Sequence, residues 1–141
     1  MTTMIEINNY IKGNKLARVM VVDDEKDILR IIKRDLEITN EFEVEAFTSG
    51  VEALSAFKHH DLGYYDVIIT DIRMPKMNGF ELYRQIRDIN PNIKIAFITA
   101  FEINKDEFNK VLPSIEVKDF IIKPIDMDDL IFKIKSMISI K

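Results

Sequence analysis

Val19-Met20-Val21-Val22-Asp23-Asp24 is an unbroken apolar run that stops at two carboxylates, and the chain uses the same device again. Val67-Ile68-Ile69 runs into Thr70-Asp71. Ile93 with Ile95-Ala96-Phe97-Ile98 ends at Thr99, and Val117 with Phe120-Ile121-Ile122 ends at Lys123-Pro124. Short runs of this kind, apolar on both faces, predict central strands of a parallel sheet. Val44, Ala46 and Phe47, after Phe42, suggest a fifth strand. Helical periodicity fills the intervals. Ile28, Ile31, Ile32 and Leu36 fall on one face of a helix starting near Asp27. Ser49-Gly50-Val51-Glu52 has capping-box spacing ahead of Ala53, Leu54, Ala56 and Phe57. Phe80, Tyr83, Ile86 and Ile89 mark a third helix and Ile103 to Leu112 a fourth, cut short by Pro113. Asp126 is the expected N-cap of a last helix carrying Leu130, Ile131, Ile134, Met137 and Ile138. Five β-α units in succession predict an α/β fold, a parallel sheet with helices on both faces. Ligands of such sheets bind beyond the C-terminal ends of the strands. That rule singles out Asp23, Asp24, Asp71, Thr99 and Lys123.

Composition narrows the function. At 141 residues the chain amounts to one domain. With 47% hydrophobic and 31% charged residues it has the balance of a soluble globular protein that needs no disulfide or structural metal to fold. Twenty Lys and Arg against 24 Asp and Glu leave a net charge of −4, which gives no broad grip on nucleic acid or anionic lipid. Cysteine is absent, excluding disulfides, zinc ribbons and thiol catalysis. No apolar run approaches the roughly 20 residues of a membrane span, and Met1 to Lys15 lacks the form of a secretory signal. The expected location is cytoplasmic. Neither GxxxxGK[ST] nor GxGxxG occurs, so a nucleotide-cradling glycine loop is excluded.

Three carboxylates, a hydroxyl and an ammonium at neighbouring strand ends form a chemically specific set. Crowded carboxylates repel and call for a cation. A donor set of oxygens without His or Cys suits a hard divalent ion, Mg²⁺ above all. Carboxylate nucleophile, metal, lysine and hydroxyl are together what phosphoryl transfer requires. Each residue also has a plainer reading. Asp23-Asp24 alone is a solvated turn, Thr99 a helix cap before Ala100-Phe101-Glu102, Lys123 an exposed lysine and Phe120 a core residue. His59 and His60 read as surface residues, and the seven Met residues are scattered.

The sequence resembles the receiver domain of two-component response regulators from about Arg18 to its end. The resemblance is carried by Val21-Val22-Asp23-Asp24-Glu25, Asp71-Ile72-Arg73-Met74-Pro75-Lys76-Met77-Asn78-Gly79, Ile98-Thr99-Ala100 and Ile122-Lys123-Pro124, in that order. It implies a flavodoxin-like sheet of strand order 2-1-3-4-5, with residues 17–141 as the receiver and residues 1–16 as an N-terminal extension expected to be disordered. Asp71 would accept phosphorus from the phosphohistidine of a histidine kinase or phosphotransfer protein. Asp24 would bind Mg²⁺ directly and Asp23 mainly through water, with Asp71 and the backbone carbonyl of Arg73 as further ligands. Thr99 would hydrogen-bond the acyl phosphate and Lys123 would pair with its charge. Pro124 matches a proline that is usually cis. Phe120 sits where the family keeps an aromatic switch residue, paired with Thr99, and as Phe it lacks a hydroxyl. Arg73 and Phe101 stand where dephosphorylation rate is tuned. The segment Pro113 to Val117 departs from the family's usual Gly-Ala turn.

The resemblance further implies signalling through an unidentified downstream protein by the face of the predicted fourth helix, last strand and last helix, as a monomer or a weak phosphorylation-dependent dimer. Lys135 to Lys141 leave no room for an output domain, so a stand-alone receiver is expected, with kinase recognition near Lys26, Arg30 and Lys33. Two other readings compete. One is a phosphate-independent pseudo-receiver. The other is an aspartate-nucleophile phosphatase of the haloacid dehalogenase type, which needs a second acid where this chain has Arg73. A receiver acts only on its own phosphorylation state and is not otherwise an enzyme.

Overall fold

The computed structural model describes residues 16–100 and 120–139. The helix expected over Ile103 to Leu112, the segment Pro113 to Val117, Phe101 and the leading Met1 to Lys15 lie outside the described residues. The elements are β1 (Ala17–Val22), α1 (Lys26–Glu37), β2 (Phe42–Phe47), α2 (Gly50–His59), β3 (Val67–Asp71), α3 (Gly79–Ile89), β4 (Lys94–Thr99), β5 (Phe120–Ile122) and α4 (Met127–Ser139). The strands form one parallel sheet in the order β2-β1-β3-β4-β5, as expected.

Alternation along each strand builds two cores. Val19 and Val21 of β1, Val67 and Ile69 of β3, and Ala96 and Ile98 of β4 meet Leu29, Ile32 and Leu36 of α1 and Leu130 and Ile134 of α4. Met20, Val22, Ile68, Ile95 and Phe97 point the other way, onto Ala53, Leu54 and Phe57 of α2 and Phe80, Leu82, Tyr83 and Ile86 of α3. Burial on both faces is why β1, β3 and β4 read as unbroken apolar runs. β5 is the exception among the expected central strands. It lies at the sheet edge and leaves Ile122 60% exposed.

Among the described helices α2, α3 and α4 start where the sequence supplies a side-chain cap, while α1 begins after Glu25 without one. The Ser49 hydroxyl accepts from the Glu52 amide, the Asn78 carbonyl from the Glu81 amide, and Asp126 Oδ1 from the Asp128 and Asp129 amides. One expected stripe is displaced. On α1 the sheet-facing residues are Leu29, Ile32 and Leu36, while Ile31 is 45% exposed. The displacement follows from Leu29: Leu29, Ile32 and Leu36 stand at i, i+3 and i+7, and turning that row onto the sheet rotates Ile31 outward.

A polar cluster fixes the connection from α2 to β3 against β1 and the edge strand β2. The hydroxyls of Tyr64 and Tyr65 donate to the two oxygens of Glu45 at 2.9 and 2.8 Å. The Arg18 guanidinium lies 3.9 Å above the Tyr64 ring and pairs with Glu43 at 2.8 Å. His60, expected as a plain surface residue, stacks on Tyr64 with ring centroids 3.6 Å apart. Tyr65 is buried, so its hydroxyl depends on Glu45. Glu45→Ala is expected to lower stability by about 1–3 kcal/mol, the cost of an unsatisfied buried hydroxyl. A urea titration checks this, with Glu45→Gln expected to recover part of the loss because its amide oxygen still accepts.

Candidate functional site

Strand register brings the singled-out residues to one level. Val22 pairs with Thr70, so Asp23 and Asp71 follow side by side at the crevice between β1 and β3. The chain reverses its winding direction across the sheet at this crevice, which is where open α/β sheets bind ligands. Asp71 pairs with Ile98, Thr99 follows it, and Thr99 pairs with Ile122. The Lys123 amide then donates to the Thr99 carbonyl at 2.8 Å, carrying the register one residue past β5. The Lys123–Pro124 peptide is cis, as the resemblance implied.

The side chains converge. Asp23 is fully buried, and Asp71 and Thr99 are nearly so. Asp24 is exposed, yet one carboxylate oxygen each from Asp23, Asp24 and Asp71 lies within 4.8 Å of the others. Lys123 Nζ, itself largely buried, stands 3.4 Å from Asp71 Oδ2, 3.3 Å from Asp23 Oδ2 and 3.0 Å from Glu25 Oε1. Among the described residues this is where a lysine faces the strand-end acids. Arg73 and Ala100 are exposed on the loops that follow β3 and β4.

Backbone packing holds the loop after Asp71 in place. The Gly79 amide donates to the Ile72 carbonyl at 2.7 Å, returning the chain to the strand end. A Cβ on Gly79 would overlap the Asp71 carbonyl oxygen, so a residue without a side chain is required for α3 to start this close. Lys76, at φ 70°, occupies the left-handed region within the same loop. Phe120 is buried and stacks on Phe97 with centroids 5.6 Å apart, and Phe97 in turn touches Phe80 and Tyr83. The switch candidate is therefore part of an aromatic row running from β5 through β4 to α3.

Burial and crowding set the charges. Burial pushes the Asp23 carboxyl up to about 6; the Glu25 amide draws it down, Asp71 raises it again and Lys123 opposes both raising effects. Burial likewise raises Asp71, against the pull of Lys123. Burial alone would lower Lys123, but Glu25, Asp23 and Asp71 outweigh it and hold the ammonium charged above its ordinary range. Asp23 Oδ1 accepts from the Glu25 amide at 2.9 Å, whereas the buried Oδ2 has no hydrogen-bond partner, Lys123 lying near it but out of alignment. An unsatisfied buried carboxylate oxygen beside two further carboxylates is what a hard divalent cation relieves, so the donor set fits Mg²⁺. Glu25 belongs to this site, although the sequence reading gave it no role. Its place directly after Asp23-Asp24 was the available signal.

The comparisons with known proteins agree with the geometry. The model of the response regulator receiver domain family matches residues 19–135. The response regulator ArlR of Staphylococcus aureus is 31% identical over 125 residues, covering 87% of this chain and 53% of that protein. The chain thus spans about half the length of the curated relatives it matches. Among solved structures, a response regulator receiver domain protein from Clostridium thermocellum superposes with a TM-score of 0.72 at 34% identity, over 87% of this chain and 94% of that one. A CheY-like receiver domain protein from Methanospirillum hungatei JF-1 gives 0.77 at 27% identity, over 88% and 94%.

The raised Asp23 carboxyl yields a stability prediction. The folded state holds this proton up to about pH 6 and the unfolded chain releases it near pH 4, so stability falls as pH rises between those values. In EDTA, Asp23→Asn is expected to be more stable than the parent at pH 8 by about 1–3 kcal/mol, the gain vanishing by about pH 4. Urea midpoints across that range check it; a destabilised variant at pH 8 would mean that Asp23 is held ionised without strain.

Proposed function

Because the chain belongs to the response regulator receiver domain family, we propose that its strand-end site accepts a phosphoryl group on Asp71 from a histidine kinase or phosphotransfer protein. An Asp71 oxygen attacks phosphorus, the P–O bond forms as the P–N bond of the donor's phosphohistidine breaks, and the freed ring nitrogen keeps the electron pair and takes up a proton. The observation that carries this reading is the position of Lys123 Nζ, 3.4 Å from Asp71 Oδ2, beside the three grouped carboxylates.

Each residue has a role that its surroundings support. Lys123 neutralises charge gathered on the phosphoryl oxygens. Thr99, at the neighbouring strand end, donates its hydroxyl to one of them. Asp23, Asp24, Asp71 and the Arg73 carbonyl are the proposed ligands of Mg²⁺, Asp24 directly and Asp23 mainly through water. The bound ion would neutralise charge between the donor and the carboxylates. Thr99 and Phe120 form the proposed switch, Phe120 acting through its packing on Phe97, since it offers no hydroxyl. The exposed Arg73, two residues after Asp71, supplies no general acid or base for turning over external substrates, so the protein changes only its own phosphorylation state.

Residues 17–141 are the proposed receiver and 1–16 an extension. Signalling is proposed to run through phosphorylation-dependent contact with a downstream protein, by a cytoplasmic monomer or weak dimer. No described helix is long and apolar enough to cross a membrane.

Incubation with a small-molecule phosphodonor and Mg²⁺ is expected to add one phosphoryl mass to the intact protein. Asp71→Asn or EDTA should abolish the adduct; full labelling of the variant would place the acceptor elsewhere. Asp24→Ala is expected to weaken Mg²⁺ binding at least tenfold in a metal titration, the typical loss being about 10–100-fold even for a residue that only supports a ligand. Unchanged affinity would remove Asp24 from the metal site.

A further inference from the structure

We propose that Glu25 is a positioning residue that holds the Lys123 ammonium back from Asp71 until a phosphoryl group arrives. The inference rests on the reading of Asp71 as the phosphoacceptor. Of the three acids around Lys123 Nζ, Glu25 makes the shortest contact, a hydrogen bond of 3.0 Å, against 3.4 Å to Asp71. Asp23 Oδ2, at 3.3 Å, receives no aligned hydrogen bond from it. The ammonium is thus bonded most closely to an acid outside the grouped trio of Asp23, Asp24 and Asp71.

Glu25 is built to make that contact and to give it up. Its amide donates to Asp23 Oδ1, which anchors its backbone at the end of β1, immediately before α1. From there its side chain reaches to Lys123 past the end of β5, while remaining 59% exposed. The Asp71 and Asp23 side chains, at 8% and 0%, are held in the interior. An exposed carboxylate is screened and rehydrates readily, so its pairing with lysine is weak. A phosphoryl group on Asp71 presents several charged acceptor oxygens inside the site and competes for the same three N–H donors. The lysine then exchanges Glu25 for phosphoryl oxygen, and the carboxylate swings into water. Before that exchange, donor approach meets a lysine shared between Glu25 and Asp71, with the closer bond to Glu25.

The test compares the parent with Glu25→Ala and Glu25→Asp in Mg²⁺, reading the rate of phosphoryl adduct formation from phosphoramidate and the affinity for beryllofluoride. Both variants are expected to label faster by about two- to fivefold, the worth of an exposed ion pair, and to bind beryllofluoride more tightly by a similar factor, with urea midpoints shifted no further than the loss of that one pair. Glu25→Asp keeps the charge and loses the reach. If it labels at the parental rate while Glu25→Ala is faster, Glu25 acts by repulsion alone and the positioning role is overturned. Slower labelling of Glu25→Ala would overturn it too, showing that Glu25 aims the lysine productively. Parental rates in both variants, with the adduct still on Asp71, reject the role of Glu25 and leave the phosphoacceptor reading standing. No adduct and no beryllofluoride binding in the parent reject both.

Discussion

One ammonium set among carboxylates at the end of a parallel sheet is the constraint on which the site depends. Asp23 and Asp71 are withdrawn from water, and ionised carboxylates in such surroundings are costly unless a cation is near. Lys123 supplies one positive charge and reaches Asp23, Glu25 and Asp71. It leaves Asp23 Oδ2 without an aligned donor. A surplus of buried negative charge is tolerable only if the surrounding fold over-determines it.

The rest of the fold supplies that support. Two helical layers clamp β1, β3 and β4, so the strand ends cannot shift independently. Parallel register then does the alignment: each pairing steps the next functional residue to the same height, from Asp23 through Asp71 and Thr99 to Lys123. Close approach of α3, which only a glycine at position 79 allows, pins the loop behind Asp71. The aromatic row from Phe120 through Phe97 to Phe80 and Tyr83 ties the edge strand to the same scaffold. Phe120 cannot move without pressing on Phe97 and, through it, on Phe80 and Tyr83, since a close-packed interior transmits strain.

Much of this was legible in the residues. Apolar runs that end in Asp or Thr announced β1, β3 and β4, which are buried on both faces, whereas the run that ends at Lys123 is the edge strand β5. Ser49 and Asp126 revealed helix starts because capping is a local hydrogen bond that short-range sequence specifies. The four motifs pointed to the strand-end set of Asp23, Asp24, Asp71, Thr99 and Lys123, and all five residues lie at the strand ends. Elsewhere the local pattern was ambiguous. Ile31 and Leu29 are equally apolar, and only the packing of α1 on the sheet decides which is covered. Ile122 reads like a core residue, yet it lies exposed on an edge strand.

By itself the sequence determined the class of fold, the order of its elements and the chemical inventory of the site, since periodicity, capping and residue type are properties of neighbouring positions. Tertiary structure decided what depends on residues far apart in the chain. It brought Glu25 against Lys123, 98 positions away, and left Asp23 Oδ2 unsatisfied. It also stacked His60 on Tyr64 beneath Arg18 and gathered two tyrosine hydroxyls on Glu45. The reason is physical: a hydrogen bond or ion pair across the sheet is fixed by register and burial, and neither is written in any single stretch of sequence.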